Sequence, residues 1–135
     1  MPTKASRPNT SDLVAAIRDA KRLEIRAGSQ PHRFIGIWAV VTAGRVFVRS
    51  WSFKPRSWYR MLLHEPQGVV RIAGREVPFR AAHTRSERLK AAVDQAYLEK
   101  YDRPGEVAYA RDMTRAKSRG TTTELILTAA EVIRP

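Results

Sequence analysis

Two apolar runs separated by Ala43-Gly44 constrain this chain more than any other feature. His32 to Thr42 and Arg45 to Trp51 are rich in β-branched and aromatic residues, and the small dipeptide between them suits a tight turn. Their continuous apolar character predicts a hairpin covered on both faces. A second hairpin is expected from Val69 to Ala73 and Glu76 to Ala82 around Gly74-Arg75. Pro78 cannot donate to a ladder, so an edge or a bulge is expected there. Leu23 to Ala27 alternates apolar and charged residues before the break at Gly28-Ser29-Gln30-Pro31, and Thr121 to Thr128 reads as a last strand.

Four helices are expected among these strands. Thr10 or Ser11 can cap one that carries Leu13, Ala16, Ile17 and Ala20 on one face. A second runs from Pro55 to His64. Thr84-Arg85-Ser86-Glu87 matches a capping box that opens a third, with Leu89, Val93, Ala96 and Tyr97 at helical spacing to about Tyr101. Glu106 to Lys117 is a weaker fourth, with Val107, Tyr109 and Met113 as its buried candidates. The order is helix, three strands, helix, two strands, two helices, strand. It predicts an α+β fold, a small antiparallel β-barrel of about six strands with flanking helices. Residues 1–10 read as a flexible N-terminal tail and 11–135 as a single domain.

The absence of cysteine excludes disulfides, thiolate metal sites and cysteine nucleophiles. No apolar run approaches the roughly 20 residues of a membrane span. The polar N-terminus lacks the apolar core of a secretory signal, so a cytoplasmic location is expected. The 25 Lys and Arg against 13 Asp and Glu give a net charge of +12. Such a balance attracts nucleic acid, anionic membrane or a phosphorylated small molecule. The cations are spread along the chain without a block of like charge.

Chemistry concentrates between Arg49 and Pro66. Pro55 suits a first helical turn, where the amides of Arg56 and Ser57 would lack intrahelical partners. Arg49, Lys54 and Arg56 add positive charge, as at an anion-binding helix start. Trp51 and Trp58 could wall a ring attached to that anion. The plainer alternative is a basic surface loop before a helix that buries Trp58 and Leu62. His32, His64 and His83 have no metal-ligand spacing, so no metal site is expected. Walker, G-x-G-x-x-G and G-x-S-x-G patterns are absent. Redox or transfer chemistry would therefore rest on a bound cofactor.

The run IWAVVTAGRVFVRSWSFKPRSWYRMLLHEP, from Ile37 to Pro66, resembles the split-barrel flavin- and deazaflavin-dependent oxidoreductases, including their nitroreductase-like members. An apolar-Trp strand, a Gly-Arg-aliphatic strand, a Lys-Pro loop and a Trp-Tyr-Arg helix recur there in this order. The hairpin VVRIAGREVPFRA is similar to theirs, and from about Leu23 the whole chain looks like an uncharacterised bacterial family of such barrels. The resemblance implies a split barrel, a homodimer, and a cofactor that is FMN or a deazaflavin of the 8-hydroxy-5-deazaflavin type. It implies that Trp38 lines the cofactor side, and that Arg49 and Ser50 meet the ribityl-phosphate tail. Lys54, Arg56, Ser57 and Trp58 would hold phosphate, with Tyr109 and Arg119 closing the pocket. Nitroreductase-type members carry a Gly-Arg-Lys-Thr-Gly loop before the second strand. Here that place reads Arg26 to Arg33, RAGSQPHR, in which Gly28, Ser29 and Arg33 are the partial substitutes.

Structural roles stay open beside these. Trp38 on a central strand fits a core, Arg49 could pair with Glu24 or Glu124, and Tyr109 could be buried. Three functional readings follow. The first is an oxidoreductase reducing a small electrophile. The second is a non-catalytic barrel that binds a phosphorylated cofactor or small anion. The third is a basic barrel that binds nucleic acid.

Overall fold

The computed structural model describes residues 10–29, 33–51 and 57–128. Helix α1 spans Thr10–Asp19, followed by strands β1 Leu23–Ala27, β2 Ile35–Ile37, β3 Ala39–Thr42 and β4 Arg45–Val48. Next come α2 Trp58–His64, β5 Gln67–Ile72, β6 Arg75–His83, α3 Glu87–Lys100, α4 Val107–Met113, α5 Ala116–Arg119 and β7 Thr123–Leu127. The strands form one antiparallel, nearly closed barrel-like sheet in the order β2-β1-β5-β6-β7-β4-β3. Among the described residues, no helix is long and apolar enough to cross a membrane.

Both hairpins turn on an Ala-Gly pair. Ala43 and Gly44 have φ of 55° and 71°, and Ala73 and Gly74 have 52° and 74°. Two consecutive left-handed residues match the twist of the flanking strands. The second turn therefore lies one residue earlier than Gly74-Arg75, and Ile72 pairs with Arg75. Pro78 is not on an edge, because β6 lies between β5 and β7. It is tolerated where the β7 ladder runs out: Phe79 pairs with Leu127, and beyond it the Pro78 carbonyl accepts from the Thr128 amide at 3.0 Å.

The doubly covered hairpin is real. Val46 and Val48 face the barrel interior with Leu23, Ile25, Val70 and Phe79, and Leu13 and Ile17 of α1 join them. Phe47 and Val40 face outward into a second core with Val93, Tyr97 and Tyr101 of α3 and Met113 of α4. A strand buried on both sides has no polar face to alternate with, which explains the apolar run.

Other expectations change. The run from His32 to Thr42 breaks at Trp38 into β2 and β3, which raises the strand number to seven. The weak helix breaks at Thr114-Arg115 into α4 and α5, and Tyr109 is exposed, with Ala110 taking the buried place. In the capping box Ser86 is the cap, its hydroxyl accepting from the Leu89 amide at 3.2 Å. Thr84 is buried instead and donates its amide to the Thr122 carbonyl.

Lys100 ties α3 to the other core. Its ammonium donates to the carbonyls of Ile17 at 3.1 Å and Ala39 at 2.7 Å. Burial lowers its pKa to about 8, against the opposing pull of Asp19. Between about 8 and the ordinary value of 10.5 the unfolded chain binds more protons than the folded one, so Lys100 should make stability rise with pH there. Burial raises the pKa of Tyr97 and Tyr101 above the ordinary 10.0, so their contribution is lost above that pH. Denaturant midpoints between about pH 8 and about pH 10, below the ordinary lysine value of 10.5, should show the rise in the native chain. It should flatten in Lys100→Met.

Candidate functional site

The break at Trp38 creates the most distinctive cleft. It lies where β2 gives way to β3, and holds about 350 Å³ between Ile35, Ile37, Trp38, Arg49, Trp51, Trp58, Tyr109 and Met113. Trp38 is fixed on one side by Tyr101, stacked at 3.9 Å between centroids and 1° between planes. Tyr109 meets Trp38 edge-on at 6.3 Å and Trp51 at 5.7 Å. The Trp51 indole N–H donates to Asp112 at 3.3 Å. Trp51 and Tyr109 are 56 % and 50 % exposed, so large apolar rings stand open to solvent at the rim.

Beneath the cleft runs a polar support. Arg49 is 1 % exposed although charged. Its guanidinium donates to Thr122 Oγ1 at 2.8 Å, Asp94 Oδ1 at 2.5 Å, the Met113 carbonyl at 2.7 Å and the Lys90 carbonyl at 2.9 Å. A fork with these acceptors has almost no donor left for a ligand. The Tyr97 phenol accepts the Arg49 amide at 3.0 Å and donates to the Trp38 carbonyl at 2.9 Å. It thereby clamps both strand ends that border the cleft. Among the described residues no buried side-chain nitrogen or oxygen lacks a partner.

Four of the expected site residues, Trp38, Arg49, Trp58 and Tyr109, share this cleft. Arg49 does so as a saturated support, and its carboxylate partner is Asp94. Glu24 and Glu124 pair with Arg71 and Arg45 instead. Ser50 is fully buried, its amide donating to Thr121 Oγ1 at 2.8 Å. Arg119 bridges Asp94 at 3.0 Å and Glu87 at 2.7 Å and lines no part of the cleft. Arg33 is exposed outside the lining. Lys54, Pro55 and Arg56 lie outside the described residues. The helix begins at Trp58, with Ser57 as its cap accepting from the Arg60 amide at 3.3 Å, so the expected Pro55 start is corrected. A serine cap needs extended backbone at its own position, and Ser57 has it, with ψ of 156°.

Sequence reasoning missed Asp94 and the part Tyr101 plays. Lys90, Asp94, Tyr97 and Tyr101 recur at helical spacing, which sets a polar and aromatic stripe on the buried face of α3. That stripe was the available signal. Among the described residues, the cleft lining offers no carboxylate or imidazole for acid–base work. Among the described residues no group of three or more His, Asp and Glu could hold a metal ion.

Among solved structures, the conserved hypothetical protein Rv2991 from Mycobacterium tuberculosis superposes with a TM-score of 0.56 at 14% identity. The match covers 90% of this chain and 81% of that one, and it shows a shared fold. No curated protein matches by sequence. Residues 13–125 match a family described as an uncharacterized protein conserved in bacteria, DUF2255, and the chain belongs to that family.

Proposed function

We propose that the aromatic cleft binds the planar ring of FMN or a deazaflavin, and that the protein is a split-barrel oxidoreductase acting on a small electrophile. One observation carries the reading: Trp38, backed by Tyr101, stands with Trp51 and Tyr109 around a cleft of about 350 Å³. Flat rings held at fixed angles favour a flat ligand, by stacking and by excluded water.

The described lining suits the ring and not a phosphate. Its only cation is Arg49, whose guanidinium is already committed. Phosphate binding would fall to Lys54 and Arg56, in the segment that joins Trp51 to Ser57 in sequence. When bound, the cofactor would supply the hydride. The chain's part is to orient the ring through Trp38 and Tyr109 and to shield it with Ile35, Ile37 and Met113.

Titration with the deazaflavin coenzyme, FMN and riboflavin, followed by ring fluorescence, tests this. Saturable binding is expected, weakened about tenfold or more by Trp38→Leu, a loss of about 1.4 kcal/mol or more. Lys54→Ala/Arg56→Ala should weaken FMN while sparing riboflavin, which has no phosphate. Failure of all three ligands to bind would sink the reading.

A further inference from the structure

We propose that the outer face of β1, β5 and β6 binds a small organic anion, a phosphate or carboxylate carrying an apolar body. Arg26 and Arg80 would grip the head, and Val69 and Pro78 would support the body. The site shares no residue with the aromatic cleft.

Strand register places these residues. Arg26 pairs with Val69, and Val69 pairs with Pro78, so the three form one row across the sheet. Arg80 lies two residues beyond Pro78, on the same face, in a row with Gln67. With strands about 4.8 Å apart and a rise of about 3.3 Å per residue, the two arginine Cα atoms lie roughly 10 Å apart across the sheet and about 7 Å along it. That spacing lets both side chains converge on one molecule. A trough of about 500 Å³ lies between them, lined also by Gly28, Ser29 and Thr128. Its size suits a small molecule.

Charge makes the trough unusual. One row away, Arg71 sits between Glu24 and Glu76 at 3.3 and 3.5 Å, so that part of the face is neutralised. Among the described residues, neither Arg26 nor Arg80 has a carboxylate partner. Arg26 is nevertheless held in place, with its guanidinium 4.8 Å over the Phe34 ring. A contact through the guanidinium face leaves the N–H fork for a ligand. Glu65, beside Gly28, is occupied by the Ser29 hydroxyl at 2.6 Å and amide at 3.4 Å. Two cations on one face, Arg26 held over Phe34 and Arg80 across the trough, above an apolar floor fit an anion with an apolar body. The neutralised row beside them limits the open positive patch to two cations, which favours a small ligand over a nucleic-acid strand.

Amide NMR of the full chain, titrated with phenyl phosphate, benzoate and inorganic phosphate, is the test. Saturable shifts of Gly28, Gly68, Val69 and Arg80 are expected, with phenyl phosphate or benzoate at least tenfold tighter than inorganic phosphate. Which of the two binds tighter identifies the head group. Arg26→Ala and Arg80→Ala should each weaken binding about tenfold or more. Gln67→Glu keeps both arginines, places a carboxylate between them, and should weaken binding as much. The proposal is overturned if the Arg26→Ala/Arg80→Ala double variant binds like the native chain. Tighter binding of an oligonucleotide at the same amides would overturn it too.

Discussion

Asp94→Ala should destabilise the protein by about 3 kcal/mol, the lower part of the range for breaking a buried ion pair. The Asp94 carboxylate receives Arg49 at 2.5 Å and Arg119 at 3.0 Å. The Arg49 side chain is 0% exposed and that of Asp94 is 25% exposed, so the arginine would be left buried without its counter-charge. Its neutral acceptors, Thr122 Oγ1 and the carbonyls of Met113 and Lys90, satisfy donors without cancelling the charge. The partial exposure of Asp94 lets water replace some of the loss, which keeps the expected cost at the lower end. Urea unfolding should show a lower midpoint at unchanged slope. Asp19→Ala, which removes the exposed Arg18 pair, should cost no more than about 1 kcal/mol. Equal costs for the two variants would show that Arg49 tolerates burial alone. Arg49 also anchors the Met113 carbonyl, so Asp94→Ala should loosen the cleft wall and change the emission of Trp38 and Trp51 before global unfolding.

The second large effect is expected at Gly68. An added Cβ would lie 2.4 Å from the Arg26 carbonyl oxygen and 2.8 Å from Phe79 Cζ. The first neighbour is backbone in the adjacent strand, and Phe79 is a core ring, so neither can yield cheaply. Gly68→Ala should cost about 3 kcal/mol, at the upper end for overpacking. For a domain of this size that lowers the melting temperature by roughly 10 °C. Gly105 has open space around it and no left-handed φ. Gly105→Ala should be neutral, or stabilising by about 0.4–1 kcal/mol through the unfolded chain. Calorimetry of the pair checks the contrast. A Gly68→Ala protein that melts with the native chain would mean that β1 and β5 separate freely.

Much of the scaffold was legible because its causes are local. Alternation in Leu23–Ala27, the Ala43-Gly44 turn and the apolar spacing of α3 each depend on neighbours within a few residues. The errors divide between a tertiary cause and a local one. Trp38 interrupts a run whose β propensity is unbroken, because the ring is claimed by Tyr101 across the second core. The α2 start was misplaced because Pro55 and Ser57 both suit a helix beginning, and the Ser57 hydroxyl bond decides between them.

The sites were less legible, since each joins residues far apart in the chain. Trp38, Trp58 and Tyr109 could be singled out individually as aromatic candidates, and the fold does bring them together. Nothing local distinguished Arg49 as an open cation from Arg49 as a buried one. That depends on Asp94, 45 positions away on a helix packed over the sheet. Arg26 and Arg80 showed only as two members of a scattered positive charge, until register placed them on one face.

The sequence by itself determined most of the strands, the Ala43-Gly44 turn and the two-faced burial of the first hairpin, because backbone sterics and side-chain period act over a few residues. Only the tertiary structure decided which charges are spent and which remain available. Pairing depends on distances between elements, and those are set when α3 docks and the strands register.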